Sequence, residues 1–258
     1  MPTTGHAPLW TFLIGVGIGF LGGLFGKGGS AVATPLLALI GIPGFIAVAA
    51  PLPAVIPGTF LASVAYWKED LLDWPVVIWS VILGVPATVY GAMLSQHTGA
   101  RPLLLLTAVM VFCFGVVFLT RPREKGAAAN LPHAPSGRPP LWGLRLGLVT
   151  LSIGFVSGLL ANSGGFLFAP CYARFLRMPL KRAFACSLAV SMMLAIPGSI
   201  AHWQLGHIEW RVVAWLGLGS IPFSYLGARV AVRARSATLE RWYGIALTLL
   251  GAYSLLKL

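Results

Sequence analysis

The 258-residue chain is 57% hydrophobic and only 9% charged, with a mean hydropathy of +0.85 and a formal net charge of +12. An ordinary soluble domain carries about a quarter charged residues, so this chain cannot coat a water-facing surface and the bilayer must serve as its solvent. The positive charge falls between apolar spans and not along one folded face, which argues against nucleic-acid binding and for basic cytoplasmic loops.

The first apolar segment runs near 8–26. Neither a basic region nor a small-residue cleavage site accompanies it, so it is expected to stay in the mature protein. It ends in a glycine-rich break, GGLFGKGGS at 22–30. That run resembles a phosphate loop only at a glance: position 21 is Leu, and Gly28 stands where a metal-binding Ser or Thr is required. Lys27 interrupts the break. A lysine in an apolar segment faces a cavity or a partner, or else snorkels to the interface, and both readings stand. Segments near 29–42, 44–66, 74–95 and 102–120 complete a first repeat over 8–120. The 29–42 segment is too short for an untilted span of about 20 residues, so it is one arm of a broken helix or of a hairpin.

Residues 121–140 are rich in Pro, Gly and charge, cannot build a core, and read as an exposed linker. Five more segments follow near 141–161, 164–176, 183–203, 211–230 and 239–256, giving a second repeat over 141–257. Its first and second segments again meet at a break, here formed by Asn162, Ser163, Gly164 and Gly165. Asn and Ser supply hydrogen-bond donors where the first copy has Lys27 and Gly28, although small polar residues also serve helix packing.

The two breaks belong to one repeated pattern. At an offset of 135 residues Gly19, Phe20, Gly23, Leu24, Gly29 and Pro35 meet Gly154, Phe155, Gly158, Leu159, Gly164 and Pro170. Past one inserted residue, Ser63, Trp67, Trp74, Pro86, Gly91 and Gly115 meet Ser199, Trp203, Trp210, Pro222, Gly227 and Gly251, and Asp73 meets Glu209. Broken backbone at membrane depth is tolerated only inside protein or along a cavity, and matching breaks in two halves point to a transporter's binding site.

The remaining polar residues narrow the chemistry. All six acids (Glu69, Asp70, Asp73, Glu124, Glu209, Glu240) fall at segment ends or in loops, so none offers a mid-membrane proton relay. No catalytic constellation or metal-ligand spacing is present, and neither an enzyme nor a cofactor is expected. Cys113, Cys171 and Cys186 read as small buried hydrophobes. His202 aligns with Tyr66, and a proton-relay role is conceivable there, although an interfacial position beside Trp203 explains it as well. Trp67, Trp74, Trp203 and Trp210 read as an interfacial belt.

Basic residues set the orientation. They gather in the linker, at Arg174, Arg177, Lys181 and Arg182, and at Arg229, Arg233, Arg235 and Arg241. Taking those three loops as cytoplasmic leaves both termini outside, and an odd number of passes per half makes the repeats inverted.

These glycine breaks, each followed by a Pro-containing turn and a segment such as AVAAPL at 47–52 or AFACSL at 183–188, resemble the TauE/SafE family of sulfite exporters. The resemblance covers nearly the whole chain outside the linker. It implies an integral inner-membrane transporter of sulfur-containing or other small organic anions. Together with the segments, loops and paired breaks above, the expectation is an all-α protein of a bacterial inner membrane, built as two inverted repeats of about five helical segments each. It would be a secondary transporter working by alternating access around the breaks, open to homo-oligomer formation. Carried residue by residue, the resemblance suggests Gly26, Gly28, Gly29 and Pro35 with Asn162, Gly164, Gly165 and Pro170 as the lining of the path; Lys27, Ser30 and Ser163 join them from the break sequences themselves. Lys27 in place of an apolar residue, Ala161-Asn162 in place of a Gly-x pair, and Pro51 opposite Ser187 are departures that bear on the substrate more than on the fold. A channel-like uniport pathway and a non-transport assembly factor remain the alternatives.

Overall fold

The computed structural model describes residues 7–26, 30–95, 97–98, 100–120, 141–161, 163–234 and 236–257. All regular structure among these residues is helical. The elements are α1 (Ala7–Leu24), α2 (Ser30–Leu39), α3 (Gly44–Ala49), α4 (Pro51–Trp67), α5 (Trp74–Ser95) and α6 (Ala100–Thr120), then α7 (Trp142–Leu159), α8 (Gly165–Phe175), α9 (Leu180–Gln204), α10 (Trp210–Arg233) and α11 (Ser236–Lys257).

Turn chemistry sets the boundaries. After α2 the chain turns at Gly41 with φ 86°, and Pro43 caps α3; after α8 it turns at Arg177 with φ 54°, and Pro179 caps α9. Both prolines fix φ where the next helix begins. The two turns occupy matching positions of the repeat, one using glycine and the other a strained arginine. The expected 44–66 segment arrives as two helices. Pro51 and Pro53 lack the N–H groups that would continue the ladder, so it is interrupted after Ala50, whose own N–H still reaches Ile46 O at 2.9 Å. The position matching Pro51 is Ser187, inside the unbroken α9.

Among the described residues, four helical stretches are long and apolar enough to cross a membrane: Gly44–Trp67, Trp74–Ser95, Trp142–Leu159 and Leu180–Gln204. Large apolar side chains such as Phe60, Trp79, Leu148, Ile200 and Leu218 point outward from the bundle, as a lipid-facing surface requires. Trp67, Trp74, Trp203 and Trp210 are all exposed. The cysteines divide: Cys186 is buried, Cys171 half-buried and Cys113 exposed on α6, which corrects the expectation that all three are buried. Its cause is the apolar exterior, where a small hydrophobe sits outside as readily as inside.

The helices pair across the repeat. α1 lies along α10, the fourth segment of the other half, and α7 lies along α5 in the same way. α6 packs on α11, and α4 on α9. Gly23 sits against the backbone of Ser224 and Ala228, while Gly158 sits against that of Thr88 and Ala92. A Cβ at either glycine would overlap the facing backbone, so these contacts depend on a missing side chain. Thr88 and Ala92 are themselves the positions that match Ser224 and Ala228, so the two interfaces are the same contact made twice. The largest core cluster runs through α8 and α9, including Phe166, Phe168, Tyr172, Phe184 and Leu188.

Candidate functional site

The first break begins where α1 stops. Phe25 N–H still reaches Leu21 O at 3.1 Å, and Gly26 then turns the chain with φ 64°. Its carbonyl accepts a 2.7 Å hydrogen bond from Ser187 Oγ on α9. A Cβ at Gly26 would collide with the Phe184 backbone, so both the turn and the contact call for glycine. Lys27, Gly28 and Gly29 lie outside the described residues. Ser30 opens α2, and Pro35 stands inside it.

At the second break, α7 closes with Leu160 N–H on Val156 O and Ala161 N–H on Gly158 O. Ala161 takes φ 46° at the position matching Gly26, a left-handed conformation that strains a residue with a Cβ. It packs with Val48, Ala49 and Ile208. Asn162 lies outside the described residues. Ser163 is buried, and Gly164 caps α8 with φ 72°. The Gly164 carbonyl accepts from Leu167 and Phe168 N–H, both at 2.9 Å. Gly165 and Pro170 belong to α8 and are buried. The structure thus gathers Ser163, Gly164 and Gly165 at one helix N-terminus, and sets Gly26 on α9 but Ala161 on α3.

Further residues join these breaks that the sequence reading did not select. The Ser157 hydroxyl is buried without a hydrogen-bond partner. It lies so close to Gly164 that a Cβ there would meet Ser157 Oγ. Just before each break a side chain from the third segment of the same half clamps the end of the first helix. Tyr66 OH donates to Gly23 O at 3.0 Å, and His202 Nε2 lies 3.1 Å from Gly158 O. Gly23 and Gly158 match, as do Tyr66 and His202, so the clamp is repeated with different chemistry. His202 is 1% exposed, its side chain turned inward where that of its neighbour Trp203 faces out. The alignment of His202 with Tyr66 and of Ser187 with Pro51 was a usable signal; Ser157, opposite Gly22, offered none.

The α5–α7–α8 side is the more polar. Tyr172 OH and Thr150 Oγ1 both bond Ser80 Oγ, at 2.7 and 3.2 Å, in a fully buried cluster. The positions that match these three are Leu37, Gly15 and Leu216. Buried hydroxyls are affordable in an apolar interior only when they satisfy one another.

A sequence profile described as Sulfite exporter TauE/SafE matches residues 11–254 of the chain. A probable membrane transporter protein of Xylella fastidiosa (strain 9a5c) is 26% identical over 241 residues, covering 92% of this chain and 90% of the relative. The probable membrane transporter proteins YjnA and YunE of Bacillus subtilis (strain 168) are 24% and 22% identical, covering 88% and 93% of this chain and 92% and 94% of their own. No solved structure matches.

Proposed function

The chain belongs to the TauE/SafE sulfite exporter family, whose members are membrane transporters and not enzymes, and from that premise we propose that it is a secondary carrier of small sulfur oxyanions working by alternating access around its two breaks. The observation that carries the anion assignment is the second break. There an unpartnered, buried Ser157 hydroxyl stands beside the left-handed Gly164 that starts α8. A helix N-terminus presents N–H groups and a partial positive charge, which favour an anion. A buried hydroxyl without a partner carries an unmet desolvation cost, which a bound oxyanion would remove. Gly26, Lys27, Gly28, Gly29, Ser30 and Pro35 form the corresponding lining at the first break in this reading.

Alternating access follows from the repeat. Five segments per half, an odd number, make the halves inverted across the membrane. The reciprocal contacts of α1 with α10 and α7 with α5 favour this arrangement. Each break also touches the other half, Gly26 through Ser187 and Ala161 through Val48 and Ala49, so the halves can rock against one another and exchange which break opens. The same reading places the protein in the inner membrane with its linker in the cytoplasm.

A thermal-shift screen of the detergent-solubilised protein over sulfite, thiosulfate, sulfonates and carboxylates tests the substrate class. A ligand at a hundredfold its Kd stabilises by about 2.7 kcal/mol. The expected result is a shift with at least one sulfur oxyanion and a saturable flux of it in proteoliposomes. Ser157→Ala should weaken that binding about tenfold to a hundredfold, the worth of a hydrogen bond to a charged group. It should leave the unliganded protein no less stable, since it removes an orphan hydroxyl. Shifts confined to carboxylates would move the substrate class; unsaturable flux would replace the carrier by a channel.

A further inference from the structure

The clamp on the second break contains a second histidine. His202 Nδ1 lies 3.2 Å from Nδ1 of His207, in the loop between α9 and α10. The His207 ring is stacked on Phe45, with centroids 4.5 Å apart and planes 12° from parallel. The hydrogen positions follow from donor and acceptor rules. A carbonyl oxygen only accepts, so His202 Nε2 carries a hydrogen toward Gly158 O. In a neutral ring its Nδ1 is then an acceptor, and the short contact requires the hydrogen on Nδ1 of His207. His207 Nε2 is left as the basic nitrogen of the pair.

On the carrier reading above, we propose that His202 and His207 form the binding site of a coupling proton that travels with the anion. A proton arriving at His207 Nε2 makes that ring an imidazolium. The bridging proton then passes from His207 Nδ1 to His202 Nδ1. His207 ends neutral, with its hydrogen on Nε2, and the charge rests on His202 beside the Gly158 carbonyl. One proton is gained and none is lost. A second proton would set two N–H groups face to face across 3.2 Å, so the pair holds one while the contact lasts.

The surroundings suit this use. The groups facing His202 are His207 from the loop and the Gly158 carbonyl from α7, and those facing His207 are His202 and the Phe45 ring. No carboxylate or other cation from α4, α5 or α7 acts on either ring among the described residues. Burial holds the His207 imidazole below its ordinary value, which favours the neutral ring that the hydrogen-bond pattern above requires. The repeat shows why the site is on this side only. At the matching clamp Tyr66 holds Gly23, and a phenol has no second nitrogen to accept a proton. The first break carries a fixed cation in its sequence, Lys27, where the second has neutral Asn162. A protonated His202 supplies there a positive charge that can be withdrawn once the anion leaves.

Two measurements test this. Histidine-labelled 15N spectra of the solubilised protein, assigned with His202→Gln and His207→Gln, report the tautomers and the protons bound. The expected spectrum has His202 protonated on Nε2, His207 protonated on Nδ1, and one proton taken up jointly on acidification. Two Nε2–H tautomers titrating independently would overturn the shared site. In proteoliposomes with an internal pH dye, methanesulfonate serves as a probe because it stays ionised and carries no proton of its own. About one proton should enter with each methanesulfonate in the wild type. The ratio should fall to background in His202→Gln and in His207→Gln, the latter keeping the Gly158 clamp. Proton-free methanesulfonate flux in the wild type, or coupled protons surviving in both variants, would overturn the proton site and leave the carrier standing. Absence of both methanesulfonate and sulfite flux would overturn the carrier and the coupling together.

Discussion

Lys27 and Asn162 hold matching places in the two breaks, and their difference bears on which break attracts the anion. A cation in an apolar segment is retained where it faces a cavity or a partner. The residue before Lys27 is already fixed: Gly26 is buried, turned by a positive φ and tied through its carbonyl to Ser187. That tie has no counterpart at the second break, because Pro51 replaces Ser187 there and has neither hydroxyl nor N–H. If Lys27 contacts the anion, Lys27→Gln removes a charge-assisted bond of about 1.5–3 kcal/mol. Affinity for the sulfur oxyanion found in the screen should then fall about tenfold to a hundredfold, with thermal stability retained. Unchanged affinity at normal abundance would return Lys27 to a snorkelling role. The breaks were legible in sequence because Gly, Lys and Asn violate an otherwise apolar pattern. Ser157 was not, since a lone hydroxyl in an apolar helix looks the same whether it packs, bonds its own turn or stands unpartnered; only the facing helix decides.

At the scale of helices, close approach without side chains holds the pairs together. α7 presses Gly158 on α5 where a Cβ would overlap the Thr88 carbonyl and the Ala92 N–H group. Neither neighbour can give way, because both are backbone within a helix. Gly158→Ala should therefore force the pair apart, a strain typically of about 1–3 kcal/mol and more when backbone must shift. The position also lies three residues before the strained Ala161, so the break should loosen with it. Gly17 on α1 is the internal control, with open space where its Cβ would go. Gly17→Ala should be neutral or stabilising by up to about 1 kcal/mol through helix propensity. Thermal denaturation of the two variants side by side checks the pair, and equal melting temperatures would refute the packing argument. The helix boundaries were readable because Gly41, Pro43, Pro179 and Gly206 end or open elements by their own backbone chemistry. The division of α3 from α4 was missed although Pro51 and Pro53 are in plain view, because hydropathy continues unbroken across them. The partner of each helix was not legible at all. Sequence periodicity marks a face but not what covers it, and in a lipid-soluble chain every face is apolar.

The whole molecule has two chemically distinct ends, and these carry the orientation. At one end Lys181 Nζ donates to Val232 O at 2.7 Å, tying the start of α9 to the end of α10. Arg145 reaches Phe175 O at the end of α8, so α7, the break and α8 form a unit whose two ends meet. Both ties rest on cations, and a cation over helix-terminal carbonyls satisfies groups that the helix leaves unpaired. Basic loops of this kind remain on the cytoplasmic side during insertion. At the other end, the last turn of α9 and the loop after it carry His202 and His207, with Trp203 and Trp210 packed edge to face at 6.1 Å. Aromatic contacts of this kind suit a membrane interface without basic bias. The linker at 121–140 joins the basic end by its own sequence, so it should lie in the cytoplasm while Gly206 lies outside. On the proposed inverted arrangement, five segments in each half would reverse one half relative to the other and bring both termini out on the Gly206 side. Single cysteines at Gly137 and Gly206, in a background lacking Cys113, Cys171 and Cys186, should react with a membrane-impermeant thiol reagent from opposite faces. In intact cells the expected labelling is at position 206 alone, and at 137 only after the membrane is opened. Labelling of both positions from outside would remove the inversion, and with it the symmetry on which rocking between the two breaks depends.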